Sequence, residues 1–556
     1  MPAENRDPTA LDRVAESWVD TMLELRPEMA VELGRPGYEG RYGDLSPEGH
    51  ESFAAATRAT LAQVRDTPDA DDVDRVTRLE MERSLELSIE QHEAGLWRRD
   101  LNVIASPAQE VREVFDLMPT ETEEDWEHVA LRLDGVPGVL EGYVASLRSG
   151  IATGNVPAER QVHAVLAQVG RLAAADGFFT QLAASPSVPA SLTTDLDRGA
   201  RAAAEAYDRL GAFLRDELGP AAPVDDAVGR ETYALQSRSF LGAKVDLDET
   251  YEWGLEELAR TVAEQEDVAR QIVPGASGDP VQAAVAFLDA DPARQLHGTD
   301  ALQAWMQRTS DAAVEELGRT HFDIPERVRA LECMIAPTQD GGIYYTGPAE
   351  DFSRPGRMWW SVPEGVETFG TWRELTTVYH EGVPGHHLQI GIATHQASTL
   401  NSWRRMSWTS GHGEGWALYA ERLMDELGYL DDPADRLGML DAQRMRAARV
   451  VLDIGVHLRK PHPDGGTWDA ANALAFMRRH VNMDDSFIRF EVDRYLGWPG
   501  QAPAYKVGQR IWEQVRDEVA RREGADFDVK AFHRRALELG GLGLDTLRAV
   551  LVPPLD

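Results

Sequence analysis

The feature that most constrains this chain is an eight-residue segment, His380-Glu381-Gly382-Val383-Pro384-Gly385-His386-His387. Two imidazoles one helical turn apart aim at a single metal ion, and a glutamate directly after the first serves as base toward a water. That arrangement needs the second histidine four residues on, where this chain has Pro384. On an undistorted helix His386 would lie about 240° round and about 9 Å along from His380, and His387 about 10.5 Å along on the correct face. Neither position chelates. Gly382, Pro384 and Gly385 are, however, the poorest helix formers available, and proline also removes a donor and displaces the preceding turn. A locally widened helix that absorbs two residues, as bulges do at functional sites, would swing His386 onto the metal. His386 is favoured as the second imidazole, with His387 as the alternative. Three histidines and a glutamate in eight residues, from 15 histidines in all, argue against a chance cluster.

A third ligand is expected from Glu414-Gly415-Trp416-Ala417-Leu418-Tyr419-Ala420-Glu421, which reads as a second helix. Glu414 and Glu421 are seven apart and share a face. Glu414 is the expected ligand, and Glu421 the carboxylate that orients a ligand histidine from behind. Imidazole and carboxylate donors favour zinc, one ion per chain.

Other groups complete the candidate site. Arg449, Asp453 and His457 follow at intervals of four in an otherwise apolar helix and form one polar stripe. That stripe either presents His457 to a substrate or oxyanion, or is a buried ion-paired network between helices. Tyr505, after a Pro-Gly-Gln turn, is a candidate donor to a developing oxyanion, with Tyr495 a weaker one. The segment containing Tyr344 and Tyr345 reads as a strand before the metal helix, either an edge that pairs with an extended substrate or a cover for the core.

Apolar residues recur at helical spacing from residue 8 to about 268, with stretches near 47–66, 73–98, 122–149, 157–183, 188–218 and 246–268. Between 336 and 370 the chain turns rich in Gly, Pro and aromatics, and 342–346 and 358–362 read as short strands. Helical patterning then returns. The expected architecture is mainly α, with a helical region 1–330 and a metal-binding region 331–556 in one compact body.

A net charge of -38 argues against partners that present a phosphate backbone or an anionic membrane surface. Only four of the 56 basic residues are lysine, which fits either a GC-rich coding bias or adaptation to salt. The single cysteine, Cys333, precludes an intramolecular disulfide or a thiolate cluster. Without a signal-like start or a long apolar run, the expected compartment is the cytoplasm.

The metal-binding stretch resembles the bacterial family called domain of unknown function 885. Its hallmark, His-Glu-x-x-Pro-Gly-His-His followed by Glu-Gly-Trp-x-x-Tyr-x-Glu, stands here as His380 to His387 and Glu414 to Glu421. The similarity continues through Arg449 to His457 and Trp498 to Gly508. The resemblance implies a mostly helical, zincin-like fold of the glutamate-zincin type, similar to helical oligopeptidases and metallocarboxypeptidases. The activity expected is zinc-assisted hydrolysis of an amide in a short peptide or peptide-like substrate, with Glu381 as base and His457 or Tyr505 at the oxyanion. The alternatives are a narrow-specificity amidase or deacylase, and a metal-binding interaction protein without catalysis. The latter would have no use for Glu381.

Overall fold

Thr9 and Asp12 form a capping box at the start of helix Ala10–Leu25, and Thr122 and Asp125 do the same for the long helix Glu123–Thr153. Ser46 and Pro47 open Pro47–Asp66. Each pairing satisfies amide donors that a helix start leaves orphaned. The computed structural model describes residues 6–337 and 342–553, and helices dominate it throughout. The expected helical stretches are present. That near 157–183 is split into Glu159–Leu172 and Phe178–Ala183.

Hydrophobic packing joins residues from both sides of position 330. One hydrophobic cluster is drawn wholly from residues between Leu45 and Leu218, with Trp126, Tyr143 and Phe179 fully enclosed. A larger cluster joins Leu258 and Val268 to Leu452 and Trp512. Helix α1 (Leu247–Ile272) lies within the first half of the chain, yet it packs along the helices that carry the site.

Those helices are α2 (Thr371–Glu381), α3 (His386–His395), α4 (Ser410–Glu426), α5 (Pro433–His457), α6 (Asp485–Gly497) and α7 (Pro503–Glu523). Helices α4 and α7 approach closely because their contact is made of glycines. A Cβ on Gly415 would come within 2.5 Å of the Gly508 backbone, and one on Gly508 would strike the Gly411 carbonyl.

A three-stranded sheet stands beside α2. It consists of β1 (Leu331–Ile335), β2 (Ile343–Thr346) and β3 (Gly356–Trp360), in the order β1-β3-β2. β1 runs parallel to β3 and β2 antiparallel to it, with Tyr344 opposite Trp359. β2 and β3 fall on the two expected strands, the second beginning two residues earlier. β1 and a small ribbon pairing Gln295–His297 with Thr368–Gly370 were not expected. β1 and Gln295–His297 lie outside the Gly-rich, aromatic stretch that signals the others, and Thr368–Gly370, at its end, is only three residues long. β1 alternates buried Leu331 and Cys333 with less buried Glu332 over only five residues, too few to stand out from helical surroundings.

The glycine contact should be intolerant of volume. Gly415→Ala is expected to destabilise the protein by about 1–3 kcal/mol through overpacking, and to lower metal content because Glu414 is the preceding residue. A melting profile and metal content equal to wild type would show that α7 can withdraw without cost.

Candidate metal centre

The segment that carries the histidines does not form a widened helix. It breaks. α2 ends at Glu381, α3 begins at His386, and Gly382 to Gly385 form an irregular link with a cis Val383–Pro384 peptide. This corrects the expected bulge, and the reason is local. Gly382 and Gly385 adopt ψ of -127° and -130°. A Cβ on Gly385 would strike the His380 carbonyl, and one on Gly382 would lie 2.6 Å from the Val378 carbonyl. The link is tied back by Gly385 N–H donating to Tyr379 O at 3.1 Å and His387 N–H donating to Gly382 O at 3.2 Å. The buried Trp416 indole donates to Pro384 O at 2.9 Å. The hallmark tryptophan thus holds the loop that separates the two histidines.

With the helix broken, His386 turns toward His380. The two rings stand perpendicular with centroids 4.8 Å apart. Glu414, from α4, places Oε2 3.3 Å from His380 Nε2 and 3.5 Å from His386 Nε2. The three donor atoms lie within 4.8 Å of one another. Ligands at about 2.0–2.1 Å from a tetrahedral ion are separated by roughly 3.3–3.4 Å, so two of these spacings match a shared ion. Glu414 Oε2 and His386 Nδ1 are buried without a hydrogen-bond partner among the described residues. Two histidines and one glutamate are a donor set suited to zinc, and as three ligands they leave a fourth position open, the pattern of catalytic rather than structural sites. The residues present therefore fit a metal.

Behind the centre, His380 Nδ1 meets Glu421 Oε1 at 2.7 Å. Glu421 is buried and also accepts from Gln443 Nε2 at 3.4 Å. Gln443 in turn accepts from Lys506 at 2.5 Å, and Lys506 pairs with Glu257 on α1 at 2.9 Å. Burial opposes charge on His380, but the Glu414 and Glu421 carboxylates outweigh it and hold the imidazolium well above its usual range. Burial likewise opposes charge on Glu414, and His380 and His386 bring it far below the usual carboxylate range. In Glu381 burial wins over the two histidines and pushes the carboxyl up.

The centre opens into a cleft of about 490 Å³, lined by His380, Glu381, Glu414, Arg446, Arg449 and Tyr505. Its walls mix polar groups, Glu374 and Asp441 among them, with apolar side chains: Trp360, Val362 and Phe369 at and beyond the end of β3, and Met445, Val481 and Phe487 on the helical side. Tyr505 lies beside Glu414, and burial pushes its phenol up, so it stays a donor. The Arg449 guanidinium sits 5.3 Å from the Tyr505 ring centroid and is paired with Glu491 at 2.7 Å.

Other expected residues lie elsewhere. His387 is not at the centre. Its Nδ1 meets Tyr345 OH at 2.9 Å and its Nε2 meets Val328 O at 2.6 Å, which ties α3 to β2. His457 is not brought to the cleft either. It is fully buried two turns beyond Arg449, with Nε2 on Tyr495 O at 3.0 Å. Asp453 accepts from Tyr233 OH at 2.6 Å and from Gly500 N–H at 2.9 Å. Tyr344 stacks on Trp359 with centroids 6.1 Å apart. Tyr495 donates to Glu491 inside the helix packing. Arg446 and Gln443 were missed. Arg446 stands three residues before Arg449 and so near its face of α5, a spacing that could have pointed to it, whereas Gln443, six residues before, lies about 120° away and carries no such signal.

The chain is thus a mainly helical protein with a His-His-Glu centre capable of holding a metal. It belongs to the family described as bacterial proteins of unknown function, DUF885, which it matches over residues 27–551. No curated protein matches it. Its fold is similar to the crystal structure of a candidate lipoprotein from Colwellia psychrerythraea, with a TM-score of 0.82 at 22% identity, covering 97% of this chain and 98% of that one. It is also similar to a candidate lipoprotein of unknown function from Shewanella oneidensis, with a TM-score of 0.76 at 15% identity, covering 98% and 100%. Among the described residues no helix is long and apolar enough to cross a membrane.

Metal binding should displace a proton. At neutral pH the metal-free His380 is held charged by its two carboxylates, so zinc affinity should rise with pH as that proton becomes easier to remove. Calorimetry in two buffers of different ionisation enthalpy should report proton release, and no buffer dependence would contradict it. His380→Ala and Glu414→Ala should abolish stoichiometric zinc, whereas Glu421→Gln should weaken it by about 10- to 100-fold.

Proposed function

We propose that this chain is a zinc-dependent hydrolase of short peptides or peptide-like amides, zincin-like in its catalytic layout. The observation that carries this reading is Glu381, a buried carboxylate one residue from a metal ligand and facing the same cleft. A closed structural metal site has no use for such a group.

When bound, the metal would be held by His380, His386 and Glu414, and would polarise the scissile carbonyl and make a water more acidic. Glu381 removes the water's proton as its oxygen adds to the carbonyl carbon. It then delivers that proton to the departing nitrogen as the C–N bond breaks. Its raised proton affinity suits this shuttle, since a carboxyl at its ordinary value would be a weaker base. The Tyr505 hydroxyl donates to the oxygen on which charge develops. Glu421 fixes which nitrogen of His380 faces the ligand position. Ile343 of the edge strand β2 borders the cleft, where an extended substrate backbone can pair with it. The modest volume and partly apolar walls favour short chains.

Metal analysis and a mixed peptide pool test this together. Wild type should hold about one zinc per chain, as expected of a single three-ligand site, and cleave the pool. Glu381→Gln should keep the metal and lose cleavage. Tyr505→Phe should lower kcat by about 100-fold with little change in KM. A chain that takes up no stoichiometric zinc after repletion would falsify the reading. A zinc-loaded chain that leaves the pool intact but hydrolyses one small acyl amide would make it a narrow amidase.

A further inference from the structure

Among the cationic side chains of the cleft, one is not compensated. Arg449 is paired with Glu491, and Arg373 with Asp441 and Asp289. Arg446 has no carboxylate within ion-pair distance among the described residues. It bonds instead to its own helix, through Nη1 donating to Ala442 O at 3.3 Å, and its Nε is buried without a partner among the described residues. It lines the same cleft as His380, Glu381 and Glu414, near enough to Glu381 and Glu421 that its charge favours their ionised forms.

A guanidinium left without a carboxylate in a partly enclosed cleft is costly unless an anion completes it. Its planar fork matches a carboxylate in two parallel hydrogen bonds. Apolar side chains, from Trp360 and Phe369 to Met445 and Phe487, line much of the cleft beside polar ones such as Glu374 and Asp441. The cleft therefore offers one anion receptor, a partly apolar enclosure and the metal centre within a single small volume.

We propose that Arg446 receives the free carboxylate of the substrate, so that the protein acts on short chains ending in an apolar residue and cuts close to that end. This rests on the hydrolase reading for the cut, but the carboxylate site itself can be measured without turnover. Internal positions of a long chain carry no such group beside the scissile bond and would leave the guanidinium unpaired.

The test uses the full chain as zinc-loaded Glu381→Gln, titrated calorimetrically with N-acetyl-Ala-Phe as the free acid and as the C-terminal amide. The acid should bind about 10- to 100-fold tighter than the amide, as expected for one charge-assisted pair. Adding Arg446→Gln should bring the two ligands to nearly equal affinity. Arg446→Lys keeps the charge but loses the fork, and should retain only part of the preference; it decides the matter if the Gln variant does not fold. Equal binding of acid and amide with Arg446 present, binding of neither, or a preference that survives Arg446→Gln would each overturn the proposal. Peptide cleavage by wild type is scored separately. An Arg446-dependent preference in a chain that cleaves nothing would uphold the carboxylate site and sink the hydrolase reading, whereas cleavage without the preference would do the reverse.

Discussion

The contact on which the centre depends is the one between His380 Nδ1 and the buried Glu421 carboxylate, 2.7 Å long. An imidazole has two nitrogens, and a ligand must present one of them unprotonated. With Nδ1 committed to Glu421, Nε2 is the atom turned toward Glu414 and His386. A carboxylate this deep needs support beyond one imidazole. It comes through Gln443, which relays to Lys506 and so to Glu257. The chain of contacts crosses α2, α4, α5, α7 and α1. That is why α1, from the first half of the sequence, packs within the same core as the site.

The glycines and tryptophan of the two motifs serve that contact. Four residues cannot bring His386 round to His380 along a continuous helix, so the helix stops and restarts. Gly382 and Gly385 supply backbone where a Cβ would meet a carbonyl, and Trp416 caps the carbonyls the break exposes. Gly411, Gly415 and Gly508 let α7 come against α4, which carries Lys506 and Tyr505 into place. Spacing in a sequence announces the problem plainly, because proline at 384 is incompatible with the ordinary two-histidine turn. It does not announce the solution, since a bulge and a break can be written with the same Gly-Val-Pro-Gly.

The grouping of His380, His386 and Glu414, with Glu421 behind His380, was legible because each of the two short motifs confines its candidates to within two helical turns. The polar stripe of α5 was legible as a stripe but not as to direction. Arg449, Asp453 and His457 do share a face, yet the helix runs out of the cleft along its axis. Eight residues carry His457 about 12 Å from Arg449, into packing against Tyr495 and Tyr233. Periodicity reports which side of a helix is buried, not what lies against it at each turn. For the same reason periodicity did not single out Arg446, and the five-residue β1 did not stand out beside longer helices.

The charges of the centre explain why a base can persist there. Glu414 and Glu421 flank His380, and in the metal-free protein the imidazolium answers them. A divalent ion would take over that role and let the proton leave. Glu381 is then the remaining carboxylate, one that burial already inclines toward its neutral form. It is opposed from the cleft by Arg446, which favours the ionised one. Opposing influences of this kind keep the cost of switching protonation state small in either direction. Tyr505, in the same cleft, keeps its proton because burial and Glu414 outweigh the neighbouring arginines. A group that both accepts and releases a proton, beside one that only lends a hydrogen bond, is the division of labour that amide hydrolysis requires.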